Sequence, residues 1–315
     1  MMPANRTTAT PTPDGWAVAI DGQPFTVLRA EGLAKPILHP VLGPGGVPMT
    51  RNYPMQQVPG EANDHPHHNS LWYTHGAVNG IDFWSEGEGR GTIIQDSVTE
   101  LDNGDDGVAI ATENRWVGPD GATVMTDRRL YLFDEEDSHR VIDIVVELHA
   151  SHGEVVLGDT KEGTMGIRTH PSLRLVNDER RGVTTAAGRA VNSEGVTGAD
   201  VWGKRARWVH YQGPIDGVDA GIAIFDHPAN PRHPTWWHAR DYGLVAANPF
   251  GINDFEKAGA GTGDMTIPAG ESVRFHYRFL FHAGAAMAAD AVEAAWKAWT
   301  TEDSKALTTW LGAAR

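Results

Sequence analysis

The chain contains no cysteine. That removes disulfide frameworks, thiolate nucleophiles and cysteine-ligated metals together, and it suits a reducing cytosol. Basic residues are also few: 26 Lys and Arg stand against 41 Asp and Glu, for a formal charge of −15. Neutralising a nucleic-acid backbone or an anionic membrane takes a basic surface, and no Lys/Arg cluster supplies one, so the charge argues against both partners. No apolar run approaches the length that spans a bilayer, and the opening MMPANRTTATPTPDG lacks the apolar core of a signal peptide, which reads as a soluble cytoplasmic protein. There is no Gly-rich phosphate loop and no Gly-x-Ser-x-Gly elbow.

Helix-forming runs are scarce before residue 285. What fills the chain instead is turn chemistry, with 36 Gly and 19 Pro, between short runs of Val, Ile, Thr and aromatics. This composition predicts strands joined by turns, a mostly β protein. WAVAIDGQPFTVLR alternates around an Asp-Gly pair, the signature of a hairpin. Strands are expected at Lys35–His39, Gly91–Glu100, Gly107–Trp116, Thr123–Phe133, His139–Ala150, Ala206–Tyr211, Val218–Phe225 and Gly243–Ala247, with turns such as Asn103-Gly104 and Asp120-Gly121 between them. That spacing reads as an antiparallel meander feeding a sandwich. In MTIPAGESVRFHYRFLFHAG, residues Val273, Phe275, Tyr277 and Phe279 share one face. Residues 1–13 read as a disordered tail, 14–284 as one β domain, and Arg181–Gly203 as a long loop. Residues 285–315 read as short helices packed on the same domain, with Thr301 capping the second and Leu311 near its end.

Chemistry concentrates between Glu61 and Trp84, EANDHPHHNSLWYTHGAVNGIDFW, where four histidines and three carboxylates interleave with Leu71, Trp72, Ile81, Phe83 and Trp84. Groups that move protons are costly to bury without partners, so this density marks a site, and the apolar residues anchor it. Two further stretches share the character: GEVVLGDTKEGTMGIRTHPSLRLVNDER, and FDHPANPRHPTWWHARDYGLVAANPFG. His65 and His67 form a His-x-His pair on one face of an extended segment, a nucleus for a divalent metal, although no third ligand is fixed by spacing and nothing in the sequence requires a cofactor. For proton transfer without metal the candidates are His68, His75, Lys161, Glu162 and His238. Asp64, His65, His67, Asn69, Trp84, Arg168, Trp237 and Asn248 are the candidate substrate-binding residues, because tryptophans set among polar groups suit the apolar faces and polar rims of sugar rings. A small-molecule carbohydrate is therefore the expected partner, and the pattern leaves room for a homo-oligomer.

The run DHPHHNSLWYTHGAVNGIDFW, with DTKEGTMGIR and WWHARDYGLVAANPFG, resembles the bacterial PmoA-like family from about residue 15 to 285. A more distant resemblance is to the galactose mutarotase-like superfamily. His75-Gly76, Asn79-Gly80, Asp82 and Trp84 are similar to the His-Gly, Gly, Asp, Trp motif of aldose epimerases. Thr169-His170-Pro171 with Leu173 is similar to the segment carrying their second catalytic histidine, and Ile267-Pro268-Ala269-Gly270-Glu271 to their closing Pro-Gly-Glu strand. This resemblance implies a large antiparallel β supersandwich with a short C-terminal helical segment, and a sugar ligand. The chain departs from it at Gly243–Asn248, where the epimerases carry a catalytic glutamate and this sequence has no carboxylate. The expectation is a carbohydrate-active enzyme acting on a sugar or keto-sugar by general acid/base proton transfer, of epimerase or lyase type. A non-catalytic carbohydrate-binding protein and a His-ligated metal-dependent lyase or oxygenase are the alternatives.

Overall fold

Along Ser272–Ala283 the side chains of Phe275, Tyr277, Phe279 and Phe281 alternate with His276, Arg278 and Leu280, and only the first set joins the main apolar core. The same two-residue period, repeated in strand after strand, decides how this chain folds. The structure is a computed structural model and describes residues 6–103, 107–302 and 304–313. The strands, in chain order, are β1 (Thr7–Thr12), β2 (Gly15–Ile20), β3 (Gln23–Arg29), β4 (Ile37–Val41), β5 (Leu71–His75), β6 (Thr92–Leu101), β7 (Val108–Val117), β8 (Thr123–Glu136) and β9 (His139–His149). They continue with β10 (Val155–Leu157), β11 (Gly163–Arg168), β12 (Arg189–Asn192), β13 (Trp208–Ile215), β14 (Val218–Asp226), β15 (Trp236–Ala239), β16 (Leu244–Asn248), β17 (Met265–Ile267) and β18 (Ser272–Ala283). Among the described residues three α-helices complete the fold: α1 (Ile252–Glu256), α2 (Ala289–Trp299) and α3 (Lys305–Gly312).

Two eight-stranded antiparallel sheets form, in the orders β1-β2-β3-β4-β5-β11-β16-β15 and β12-β13-β14-β18-β9-β8-β7-β6, with β10 and β17 as a separate pair. Their inner faces meet in one apolar core that draws Phe25, Leu71, Tyr73 and Met165 from the first sheet, and Trp116, Phe133, Ile144 and Phe279 from the second. The expected large antiparallel β sandwich is borne out. So is the Asp-Gly hairpin: Asp21 and Gly22 take φ of 48° and 73°, the two left-handed residues a tight turn needs between β2 and β3.

The outer face of the second sheet is covered by the C-terminal helices. Val292 and Trp299 of α2 pack on Trp208, Phe225 and Leu280, while Ala306 and Trp310 of α3 pack on Leu130 and Val145. Ser304, not Thr301, caps α3, with its hydroxyl accepting from Leu307 N at 3.2 Å. Residues 7–12, expected within a disordered tail, instead form β1, paired with β2 along its whole length. The Thr/Pro composition there misled because Thr alternation suits an edge strand as well as a loop. Residues 1–5 and Gly104 of the expected Asn103-Gly104 turn lie outside the described residues. The stretch Arg181–Gly203, expected as one loop, contains β12 at the sheet edge.

Candidate functional site

The outer face of the first sheet is where polar chemistry collects. Ile37 of β4, Trp72 of β5, and Leu244 and Ala246 of β16 point away from the sandwich, and Trp84, Leu33, Met55 and Tyr242 fold over them to make a small separate apolar floor. Gly166 of β11 is part of it. A Cβ there would come within 3.0 Å of the Trp72 indole and 3.4 Å of Trp84, so the absent side chain lets both rings lie against the sheet. The Trp72 and Trp84 Nε1 atoms are buried without a hydrogen-bond partner, an uncommon state for an indole N–H.

Above this floor the segment Asn52–Asn69 is stitched down by one residue. Arg51 is 2% exposed. Its guanidinium donates to the carbonyls of Tyr53 (3.1 Å), Ala62 (3.1 Å), Asp64 (2.9 Å), His65 (3.0 Å) and His68 (3.3 Å), and to Asp64 Oδ1 at 2.6 Å. Its own backbone N–H donates to Arg168 O at 3.1 Å, which fastens the segment to the end of β11. His65 and Ser70 adopt φ of 45° and 61°, left-handed values for residues with a Cβ, and they bracket the histidine run. Arg168 Nη2 also donates to Asp64 Oδ1, at 2.8 Å, and His65 Nδ1 lies 3.0 Å from Oδ2. Burial alone would raise the Asp64 carboxyl, but the His65 contact and the two guanidinium charges outweigh it and hold the group below the usual carboxylate range.

Three imidazoles follow from this scaffold. The His65 ring stacks on His68 (centroids 4.7 Å apart, 3° between planes) and on Tyr242 (5.1 Å, 8°). His68 in turn stacks on Trp72 at 5.5 Å, and His67 meets His68 edge-on at 4.5 Å. Burial, then the Arg168 charge, pushes His68 well below the ordinary imidazole value. Burial, then Lys35 and His65, lowers His67 to about 4. Both are therefore neutral at physiological pH. The His68 tautomer is fixed as well. Arg168 Nη1 lies 3.0 Å from His68 Nδ1, a guanidinium can only donate, and so the His68 proton resides on Nε2.

Lys35, 1% exposed, donates to Asn69 Oδ1 at 2.7 Å and pairs with Glu86, while burial lowers its ammonium against the opposing pull of Glu86. At the other side of the cluster Lys161 and Glu162 pair with each other, each side chain about a third exposed, and the Glu162 charge is felt by both His67 and Tyr242. His238 points outward from β15 with Nδ1 2.7 Å from Lys161 O, so Nδ1 carries its proton and Nε2 is the acceptor. Burial lowers His238 to about 3.

Of the residues singled out from sequence, Asp64, His65, His67, His68, Asn69, Trp84 and Arg168 come together here, with Lys161, Glu162 and His238 beside them. Three others lie apart. Trp237, adjacent to His238 but on the opposite face of β15, is 0% exposed in the sandwich core and donates to Ala206 O at 2.9 Å. Asn248 is consumed in shaping its own turn: Oδ1 accepts from Phe250 N and Gly251 N, and Nδ2 donates to Thr160 O. His75 is 1% exposed, donates from Nε2 to Gly158 O at 2.8 Å, and packs on Phe250. His170, of the segment similar to the epimerases, accepts from Ser172 N at the start of a short helical turn.

Lys35, Arg51, Glu86, Arg240 and Tyr242 were not singled out. Only Lys35 carried a signal, as the lone charge in the apolar run LAKPIL. The His65 and His67 rings are 5.8 Å apart, and no group of three or more His, Asp or Glu side chains arranged to hold a metal ion occurs among the described residues. A cavity of 270 Å³ opens elsewhere, on the outer face of the second sheet, where Arg278 is shared among Glu136, Asp143 and Glu302. Among the described residues no helix is long and apolar enough to cross a membrane.

Compared with known proteins, the chain is similar in structure to a polysaccharide lyase, at 12% identity and a TM-score of 0.32, over 82% of this chain and 32% of that one. It thus spans about a third of that protein's length. At that identity and score the likeness carries no functional argument. No curated protein matches the sequence. Nothing in these comparisons supports the PmoA-like or the aldose-epimerase resemblance. The match that covers most of the chain, over residues 15–297, is to a family of unknown function, and the chain belongs to that family, DUF6807.

Proposed function

We propose that the outer face of the first sheet is the active site of a carbohydrate-active enzyme that moves a proton at a carbon next to a carbonyl, in epimerisation or elimination. The observation that carries the reading is the neutral His68, its proton fixed on Nε2 by Arg168, stacked over a tryptophan floor. A neutral imidazole N–H polarises a carbonyl oxygen without giving up its proton, and a preorganised donor of this kind favours the enolate-like transition state. Glu162, a third exposed beside the cluster, is the base in this scheme, and Lys161 at its side offers a cation near the developing charge. His67, whose pKa is lowered to about 4 so that it is neutral at physiological pH, suits accepting hydrogen bonds from sugar hydroxyls, while the partly exposed Tyr242 stands at the edge of the cluster and the buried Trp84 supports it from below.

The test is proton exchange. Incubated with free and keto sugars in deuterated water, the protein is expected to wash deuterium into the position next to the carbonyl, as read by NMR. Glu162→Gln lowers that rate by about 10²-fold or more, and His68→Gln by a similar factor. Saturable sugar binding with no exchange and no turnover would remove the catalytic reading and leave a binding protein. A metal at His65 and His67 would need its remaining ligands from substrate or water, and elemental analysis of the purified chain tests that alternative directly.

A further inference from the structure

The cations around the cluster divide into those with a carboxylate of their own and one without. Arg51 and Arg168 share Asp64, Lys35 has Glu86, and Lys161 has Glu162. Arg240, in the turn joining β15 to β16, has no carboxylate partner among the described residues. Its guanidinium is held by rings instead, 5.4 Å from the Tyr242 centroid and 5.9 Å from that of Trp202. Tyr242 is the ring that stacks on His65, so Arg240 stands one aromatic side chain away from the histidines. The turn that presents both residues is closed by Gly243 N donating to Arg240 O. Gly243 has φ of 89° and Thr169 Oγ1 would lie 2.6 Å from a Cβ there, so the chain can turn this tightly only with glycine.

An arginine held between aromatic faces keeps its planar fork rigid while its donors remain unspent, and in a chain of charge −15 such a group at the edge of a site is suited to an anion. We propose that Arg240 is the anion receptor of this site, and that the sugar bound here is an acidic one whose carboxylate docks on Arg240 while its ring lies toward Tyr242 and the histidines. This rests on the carbohydrate reading above and narrows its substrate class. A carboxylate fits better than a phosphate ester: one guanidinium matches two coplanar oxygens, whereas a dianion in so acidic a protein needs further donors.

Calorimetric titration of the full chain with glucuronate and galacturonate, with glucose and galactose, and with a hexose phosphate tests the assignment. At low salt the uronates are expected to bind about tenfold or more tightly than their neutral counterparts. Arg240→Gln should cut uronate affinity to about the level of the neutral hexose, and Arg240→Lys should restore part of it, with the thermal midpoint checking that both variants fold. Equal affinity for acidic and neutral sugars, a preference that survives Arg240→Gln, or tighter binding of the hexose phosphate would each overturn the anion receptor while leaving the carbohydrate site standing. Failure of every sugar to bind would overturn both.

Discussion

Asp127 and Asp64 are both carboxylates gripped by arginine, one between the two sheets and the other on the outside of the first. Asp127 accepts from Arg129 Nε (3.1 Å) and Nη2 (2.8 Å), from Asn114 Nδ2 (2.6 Å) and from Trp116 Nε1 (2.6 Å), and both members of the ion pair are fully buried. The partners come from β7 and β8, and the Arg129 guanidinium lies 5.5 Å from the Tyr73 ring of the opposite sheet. Nothing from solvent reaches it. Asp64 uses the same pairing to a different end: its arginines are buried, but His65 beside it is 40% exposed, and the imidazoles above it are left neutral over unsatisfied indole N–H groups. The inner network spends most of its polar atoms on one another, with Asn114 Oδ1 and Arg129 Nη1 left over, and specifies packing. The outer one leaves His65 facing solvent and the indole N–H groups of Trp72 and Trp84 unpaired.

The largest effect that separates the two regions is in stability. Asp127→Ala leaves Arg129 charged and unpaired between the sheets, and urea denaturation should report a loss of about 3–5 kcal/mol. A loss below about 1 kcal/mol would mean that water enters the core and that the network is not closed. Arg51→Gln is next: the carbonyls it serves can turn to solvent, so the global cost is expected near 1–3 kcal/mol. Hydrogen-exchange protection should fall chiefly between residues 52 and 70, and sugar binding should go with it. If exchange rises equally in β8 and β9, the outer segment and the core are not separable units.

The smallest effect is titration. Folding lowers His67 from 6.5 to about 4. Between those values the unfolded chain binds a proton that the folded chain does not, so stability is full above pH 6.5 and is lost as pH falls toward 4. His68, pushed in the same direction, adds to the loss. Thermal midpoints measured across this range should therefore fall with acid, and His67→Asn should flatten part of that slope. An unchanged slope in the variant would show that the imidazole is not buried as described.

The histidine run was legible in the sequence because His65, His67 and His68 are neighbours in the chain, and a dense polar cluster among tryptophans is a local signal. Arg168 and Glu162 could be read for a similar reason, since they stand among glycines where strand alternation breaks. Arg51, Tyr242 and Arg240 could not, and Lys35 showed only as a lone charge in an apolar run. Arg51, Lys35 and Tyr242 become part of the site through contacts across 13, 34 and 177 residues of chain, and Arg240 joins it through Tyr242, two positions on. Trp237 and His238 make the limit plain: adjacent in sequence and equally plausible as ligand contacts, they face opposite sides of β15, one into the core and one toward the cluster.

By itself the sequence determined the strands and their two faces, because alternation and turn residues act over a few positions. It also determined that a dense cluster of histidines and carboxylates lies between Glu61 and Trp84. Only the tertiary structure decided which face of each strand is covered by the other sheet, and hence which polar residues are locked into the core and which stand over the outer floor. It alone set the His68 tautomer and left Arg240 without a carboxylate among the described residues. Those outcomes depend on long-range packing and on the burial of charge, and neither is written in any local run of residues.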